Sequence, residues 1–111
     1  MITGKVDVKS NKKEVENELE AKIEKALSTI GMHAETGAKE LCPVDTGNLR
    51  NSLTHETLGH TEYIGTNVEY GIYVEFDDTK RHNNGQAHFL RDTITGQFKD
   101  YQLIIQNALK D

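Results

Sequence analysis

The most constraining feature of the sequence is a run of apolar residues at helical spacing. Asn11 can cap a helix, with Glu14 three residues later as in a capping box. Pro43, the only proline, disfavours helical geometry at the residue before it. The sequence therefore predicts a helix over residues 11–41, about 45 Å long. Its apolar face comprises Val15, Leu19, Ile23, Ala26, Leu27, Ile30, Ala34, Ala38 and Leu41.

Two shorter stretches indicate β-structure. Residues 2–8 alternate apolar and polar side chains, which predicts a half-buried strand. Residues 50–68 contain two β-branched runs on either side of Gly59 and His60, a pattern typical of an antiparallel hairpin. The expected sheet is therefore small and antiparallel, and it comprises the N-terminal strand and the hairpin.

The remainder of the chain returns to helix. Residues 70–76 fit either a strand or one helical turn, and residues 77–87 predict a mobile loop. Residues 88–109 carry apolar side chains at helical spacing, with Gly96 as a weak point. We expect a single α+β domain over residues 1–111, in which one long and one shorter helix cover the sheet.

Composition excludes several classes of protein. At 111 residues, with 35% hydrophobic residues and a mean hydropathy of -0.66, the chain is polar but still globular. A formal charge of -5 argues against a duplex-DNA binder. We expect no membrane span and no secretory signal, because no run of about 20 apolar residues and no apolar N-terminal segment occurs. The single cysteine favours a reducing compartment.

The stretch PVDTGNLRNSL, residues 43–53, follows the long helix and predicts a corner. Asp45 can accept hydrogen bonds from backbone N–H groups two residues later, and Gly47 allows a positive φ. Leu49 and Leu53 would then enter the core. A phosphate-binding loop would need more glycines and a lysine, so the stretch does not indicate one.

Three motifs occur in order: PVDTGNLRNSL at residues 43–53, IGTNVEYGIYVEF at residues 64–76 and HFLRDTI at residues 88–94. Together they resemble a family of small tailed-phage proteins that are tail components or neck proteins. The family pattern is a helix, then PVDTG.LR.S, then V.....YA.YVEFGT, and FLR.A at the start of the last helix. The matching residues here are Pro43, Val44, Asp45, Thr46, Gly47, Leu49, Arg50 and Ser52; then Tyr70, Tyr73, Val74, Glu75 and Phe76; then Phe89, Leu90 and Arg91.

The chain departs from the family pattern around its predicted loop. Gly71 stands where Ala is common, and residues 77–79 replace the usual Gly-Thr. His88 precedes Phe89 where Pro is common. These departures affect the expected conformation of the loop more than the resemblance itself.

The resemblance implies a virion structural protein of the phage neck or tail, made and assembled in the bacterial host cytoplasm. Such a protein would form a ring with copies of itself. It would contact head-closure or connector proteins and tail-tube or tail-terminator proteins. It would need no catalytic residue, no metal and no cofactor.

Candidate interface residues fall into two groups. Tyr70, Tyr73 and Phe76 are aromatic, a class enriched at interfaces, and Glu75 lies among them. The second group pairs basic residues in or beside the loop, namely Lys80, Arg81 and Arg91, with an acidic surface on a neighbouring protein. That surface could be an acidic ridge, the row on the long helix formed by Glu16, Glu20 and Glu24.

Other classes of function have weaker support. An enzyme could use Cys42 as a nucleophile beside His33 or His88, and the five histidines could bind a metal. No histidine pair has the HExxH spacing, however, and none lies in a Cys/His cluster. A phage-encoded protein-binding module, acting as an inhibitor or regulator of a host protein, remains the main alternative. A DNA-binding regulator conflicts with the negative charge.

Overall fold

The computed structural model describes residues 8–44, 47–77, 82 and 84–110. Five helices and a two-stranded sheet lie in this part of the chain, which confirms the α+β class. No helix within it is long and apolar enough to cross a membrane. In chain order the elements are α1 (Val8–Leu41), α2 (Asn48–Ser52), β1 (Thr54–Leu58), β2 (Thr61–Gly65), α3 (Gly71–Phe76), α4 (Phe89–Gly96) and α5 (Phe98–Ala108).

Helix α1 is longer at its start than the sequence predicted. It begins at Val8, so Asn11 lies inside the helix and is not its cap. Residues 8–10 include no glycine or proline that would end a helix, so the helix continues past Asn11 to Val8. Val8 was predicted to end a strand and is helical instead. The rest of that strand, residues 2–7, lies outside the described residues.

The C-terminal two-thirds of α1 forms the spine of the domain. Ala26, Ile30, Ala34 and Ala38 are buried at the predicted spacing. The helix continues through Gly31, where an added Cβ would overlap the side chains of His55 and Glu62. The small residues on this face therefore let the hairpin and the C-terminal helices pack close to the α1 backbone.

The predicted hairpin is confirmed but shorter than residues 50–68. Strands β1 and β2 are antiparallel, with Thr54 opposite Gly65 and Leu58 opposite Thr61. Gly59 adopts φ 60° in the turn. The hairpin is shorter because residues before Leu53 form α2, and residues after Gly65 leave the sheet.

The C-terminal half differs from its prediction in two places. The ambiguous stretch 70–76 is helical from Gly71 onward. The helix predicted over residues 88–109 is two helices, α4 and α5, which are separated at Gln97. Helix α5 runs back along α1, since Asp100 near its start contacts His33 at 3.1 Å. Near its other end, Ile105 lines a groove with Ile23 of α1.

The core lies at the C-terminal end of α1. Its buried cluster is small. Helices α1, α2 and α4 contribute to it or lead into it, and Val74 of α3 packs against it. Leu49 and Leu53 enter this core as predicted. The cluster comprises Ala38, Cys42, Leu49, Leu53 and Phe89.

Candidate docking surface

The first motif builds a corner that is tied to the end of the hairpin. Gly47 has φ 85° at the start of α2, as its predicted role requires. The Ser52 hydroxyl donates to the Leu49 carbonyl at 2.6 Å and also hydrogen-bonds the Thr66 hydroxyl. Thr66 Oγ1 in turn accepts from the Val68 N–H at 3.0 Å. The Asx-turn predicted at Asp45, like Thr46, lies outside the described residues.

Residues 84–86, here called the strap, lie before the third motif and contact the same corner from the other side. Asn84 Oδ1 accepts from the Val44 N–H at 2.5 Å, and Asn84 Nδ2 donates to the Val44 carbonyl at 2.9 Å. The Gln86 N–H donates to the Leu41 carbonyl at 2.8 Å. Gly85 between them has φ 67°, and an added Cβ would overlap the backbone around Pro43. The strap therefore needs glycine for both its conformation and its close approach.

Glu75 joins the second motif to the third. Its Oε1 accepts from the backbone N–H groups of Leu90 at 2.6 Å and Arg91 at 3.2 Å. Its carbonyl accepts from the His88 N–H at 2.8 Å. The carboxylate therefore caps the N-terminus of α4, where negative charge is stabilised.

Glu75 was predicted as an interface residue, yet its side chain is only 5% exposed. The Oε1 atom already accepts two hydrogen bonds from α4, so it is not available to contact a neighbouring protein. Its other oxygen, Oε2, is buried with no hydrogen-bond partner in the described part of the chain.

His88 explains one departure from the family pattern. It has φ 56°, the only positive φ of a non-glycine residue among those described. Proline cannot adopt this conformation, because its ring fixes φ near -65°. The chain therefore enters α4 through a turn that the more common proline would not allow.

Apolar side chains remain uncovered beside these joints. Between β2, α3 and α4 lies an open groove of about 550 Å³, here called the motif groove. Ile72 is 60% exposed, Phe76 69% and Ile94 42%. Glu75 also lines the groove. Its other apolar residues are Ile64, Val68 and Leu90.

Ile72 and Ile94 were not among the predicted interface residues. The sequence held a signal for the first, because Ile72 and Phe76 are four residues apart and share a face in either a strand or a helix. Ile94 joins them only through the packing of α3 on α4, which no local pattern in the sequence indicates.

The other predicted interface residues occupy separate surfaces. Tyr70, directly before α3, is 44% exposed, and Tyr73 on α3 is 64% exposed. Arg91 is exposed at the motif groove and pairs with Asp92 at 2.9 Å. Its hydrogen bond lowers the pKa of the Asp92 carboxyl below the usual value. Arg50, which was predicted as a residue of the first motif and not as an interface residue, is exposed on α2.

The acidic ridge lies on α1, away from the motif groove. Glu20 contacts His60 at the hairpin turn at 2.8 Å, while Glu16 and Glu24 are exposed. Lys80 and Arg81 lie outside the described residues. The proposed contact between that loop and an acidic ridge therefore stays a prediction.

The candidate nucleophile has the wrong environment for its role. Cys42 is 1% exposed, and burial raises the pKa of its thiol to about 11. The thiol is therefore protonated at neutral pH, whereas the thiolate is the nucleophile. Within residues 8–44, 47–77, 82 and 84–110, no three His, Cys, Asp or Glu side chains form a group that could hold a metal.

Comparison with known families identifies the chain's relatives. The model of the family described as "Bacteriophage HK97-gp10, putative tail-component" matches residues 7–76, more than half of the 111-residue chain. The chain belongs to this family. Its predicted resemblance to phage tail components is thereby confirmed. No match was found among curated proteins or among solved structures.

The matched region ends at Phe76, after the second motif. The third motif, which begins at Phe89, lies beyond it. Glu75 connects the two, because its carboxylate holds the first backbone N–H groups of α4. In this chain, Glu75 therefore joins the matched region to the helix that follows it.

Proposed function

We propose that this protein is a structural component of the phage neck or tail that joins head to tail or completes the tail. It acts without catalysis, by assembling into a ring and docking on neighbouring virion proteins. These neighbours are head-closure or connector proteins on one side and tail-tube or tail-terminator proteins on the other. Membership of a family of tail components supports a place in the virion.

The observation that carries the proposal is the motif groove. Its walls include the family motif residues Glu75, Phe76 and Leu90, yet three of its apolar side chains are largely exposed. An open apolar surface of this kind is typical of a protein–protein contact. The motifs therefore shape a surface that a neighbour in the particle can cover.

The small core fits the same role. Among the described residues, five hydrophobic residues make up the buried cluster at the end of α1, while large apolar side chains are exposed on α3, α4 and α5. A ring component can leave such surface open, because its neighbours bury it during assembly.

Electron microscopy of lysates from a phage that lacks this gene tests the proposal. We expect filled heads and separate tails that fail to join, and normal particles when the protein is supplied in trans. Particles that are normal and infectious without the gene would contradict it. That outcome would favour a phage-encoded inhibitor or regulator of a host protein.

A further inference from the structure

The N-terminal part of α1 extends beyond the rest of the domain. Residues 12–21, here called the arm, are all exposed. Val15 is 63% exposed and Leu19 45%, although they continue the apolar face that is buried from Ala26 onward. Glu20, near the end of the arm, contacts His60 at the hairpin turn, and helix α5 lies beside this face from about residue 22. The arm therefore presents two exposed aliphatic side chains, four residues apart on one face of the helix.

Two open grooves begin where the arm ends. They lie on either side of the seam between α1 and α5 and measure about 300 and 480 Å³. The smaller one ends at His60 of the hairpin turn. Together they are called the seam grooves, and their lining includes Ile23, Leu27, Ile104, Ile105 and Leu109.

Charge distinguishes the arm from the seam grooves. The arm carries four glutamates and two lysines. The seam grooves are lined by Lys22 and Lys25, and none of the described residues that line them is acidic. The arm, an acidic helix with an apolar stripe, is therefore complementary in charge and polarity to the seam grooves, which are apolar with a basic rim.

We propose that the arm of one copy binds in the seam grooves of a second copy of this chain. Val15 and Leu19 would pack on Ile23, Leu27 and Leu109 of the neighbour, and arm glutamates would lie near its lysines. The same molecule cannot make this contact, because its arm continues directly into the part of α1 that forms one wall of the grooves. The inference rests on the proposed self-assembly and names one contact that produces it.

Complementation of the gene-deleted phage tests this contact. Leu19→Asp is compared with Leu103→Asp, since Leu103 is also exposed, at 55%, but lines neither seam groove. We expect Leu19→Asp to lower the yield of joined particles at least about tenfold, and Leu103→Asp to leave it unchanged. Urea unfolding of both purified variants should match the wild type, because neither leucine is buried in the single chain.

Exchanging the charges of the arm and of the seam grooves tests whether a second copy of this chain occupies the grooves. Glu16→Lys with Glu18→Lys reverses the arm, and Lys22→Glu with Lys25→Glu reverses the grooves. Each double variant should fail alone, and the two together should restore joined particles, since each reversed surface then meets its complement. If each double variant fails alone and the two together also fail to restore joined particles, a second copy is not what binds in the grooves.

The remaining outcomes separate this inference from the proposed function. Full complementation by Leu19→Asp in a phage whose deletion blocks joining would overturn the arm contact alone. Normal particles from the deleted phage without any supplied protein would overturn the proposed function and this contact with it.

Discussion

The two parts of helix α1 carry the same apolar pattern in different surroundings. From Ala26 to Ala38 the pattern is buried under the hairpin and the C-terminal helices. In the arm, Val15 and Leu19 continue it into solvent. A periodic pattern predicts which face of a helix is apolar, but it does not predict what covers that face. In a ring component the cover can be another molecule.

The family motifs show the same division. Glu75, Ser52 and the strap around Gly85 use their polar groups and close contacts inside the chain. Ile72 and Phe76, from the same region, remain open. Mutations at the internal joints should therefore cost folding stability, whereas mutations at open surfaces should cost assembly.

The largest loss of stability is expected at the strap. Gly85→Ala should lower the free energy of unfolding by about 3 kcal/mol or more, because it combines a positive φ with overlap against the backbone of Pro43. Gly59→Ala is the control. Gly59 also has a positive φ, of 60°, but a Cβ added there would meet no atom within 4 Å. Its substitution should therefore cost about 1 kcal/mol. Equal losses in urea unfolding would show that the strap is not a tight joint.

The next effect concerns the cap of α4. Glu75→Ala removes the acceptor for two backbone N–H groups and should destabilise the protein by about 2 kcal/mol. Glu75→Gln keeps an oxygen acceptor and should recover part of this loss. Glu69→Ala, an exposed glutamate on the same segment, should change stability by less than about 0.5 kcal/mol. A Glu75→Ala variant as stable as Glu69→Ala would refute the cap.

Alkaline pH should weaken the core at Cys42. Burial raises the pKa of this thiol from 9.0 to about 11, so the unfolded chain binds fewer protons than the folded one between these values. Stability should therefore fall as pH rises from about 9 to 11, by about 2 kcal/mol in total. Urea unfolding against pH should show a shallower fall in Cys42→Ala. Identical slopes would place the thiol in a more hydrated site.

The smallest effect should be a gain. Gly96 ends α4 with open space around it, so Gly96→Ala should stabilise the protein by about 0.5–1 kcal/mol through helix propensity. Gly31→Ala is the covered counterpart, since its Cβ would overlap Glu62 and His55. It should destabilise the protein despite the same gain in propensity. Thermal unfolding distinguishes these opposite signs, and a shared sign would contradict the packing described at Gly31.

Local patterns explain which parts of the fold were predictable. The long helix, the turn at Gly59 and His60, and the positive φ at Gly47 follow from periodicity and glycine chemistry. The helical form of residues 71–76 was left ambiguous, because six residues fit both periods. Its choice depends on packing against α4, which lies more than ten residues further along the chain.

The candidate site was predictable only in part. The exposed aromatic residues Tyr70, Tyr73 and Phe76 lie in the stretch that the sequence indicated as a surface. Glu75 lies in the same stretch, but its side chain is buried, because the free N–H groups at the start of α4 need an acceptor. Such a long-range cap leaves no spacing signal, so only the folded arrangement shows it.

One measurement tests most directly whether the motif groove is a docking surface. Ile72→Asp and, as a control, Thr95→Asp are supplied to the gene-deleted phage, and joined particles are counted by electron microscopy. Ile72 is 60% exposed, so both variants should unfold within about 0.5 kcal/mol of the wild type. We expect Thr95→Asp to restore joined particles and Ile72→Asp to fail. Full restoration by Ile72→Asp would contradict it.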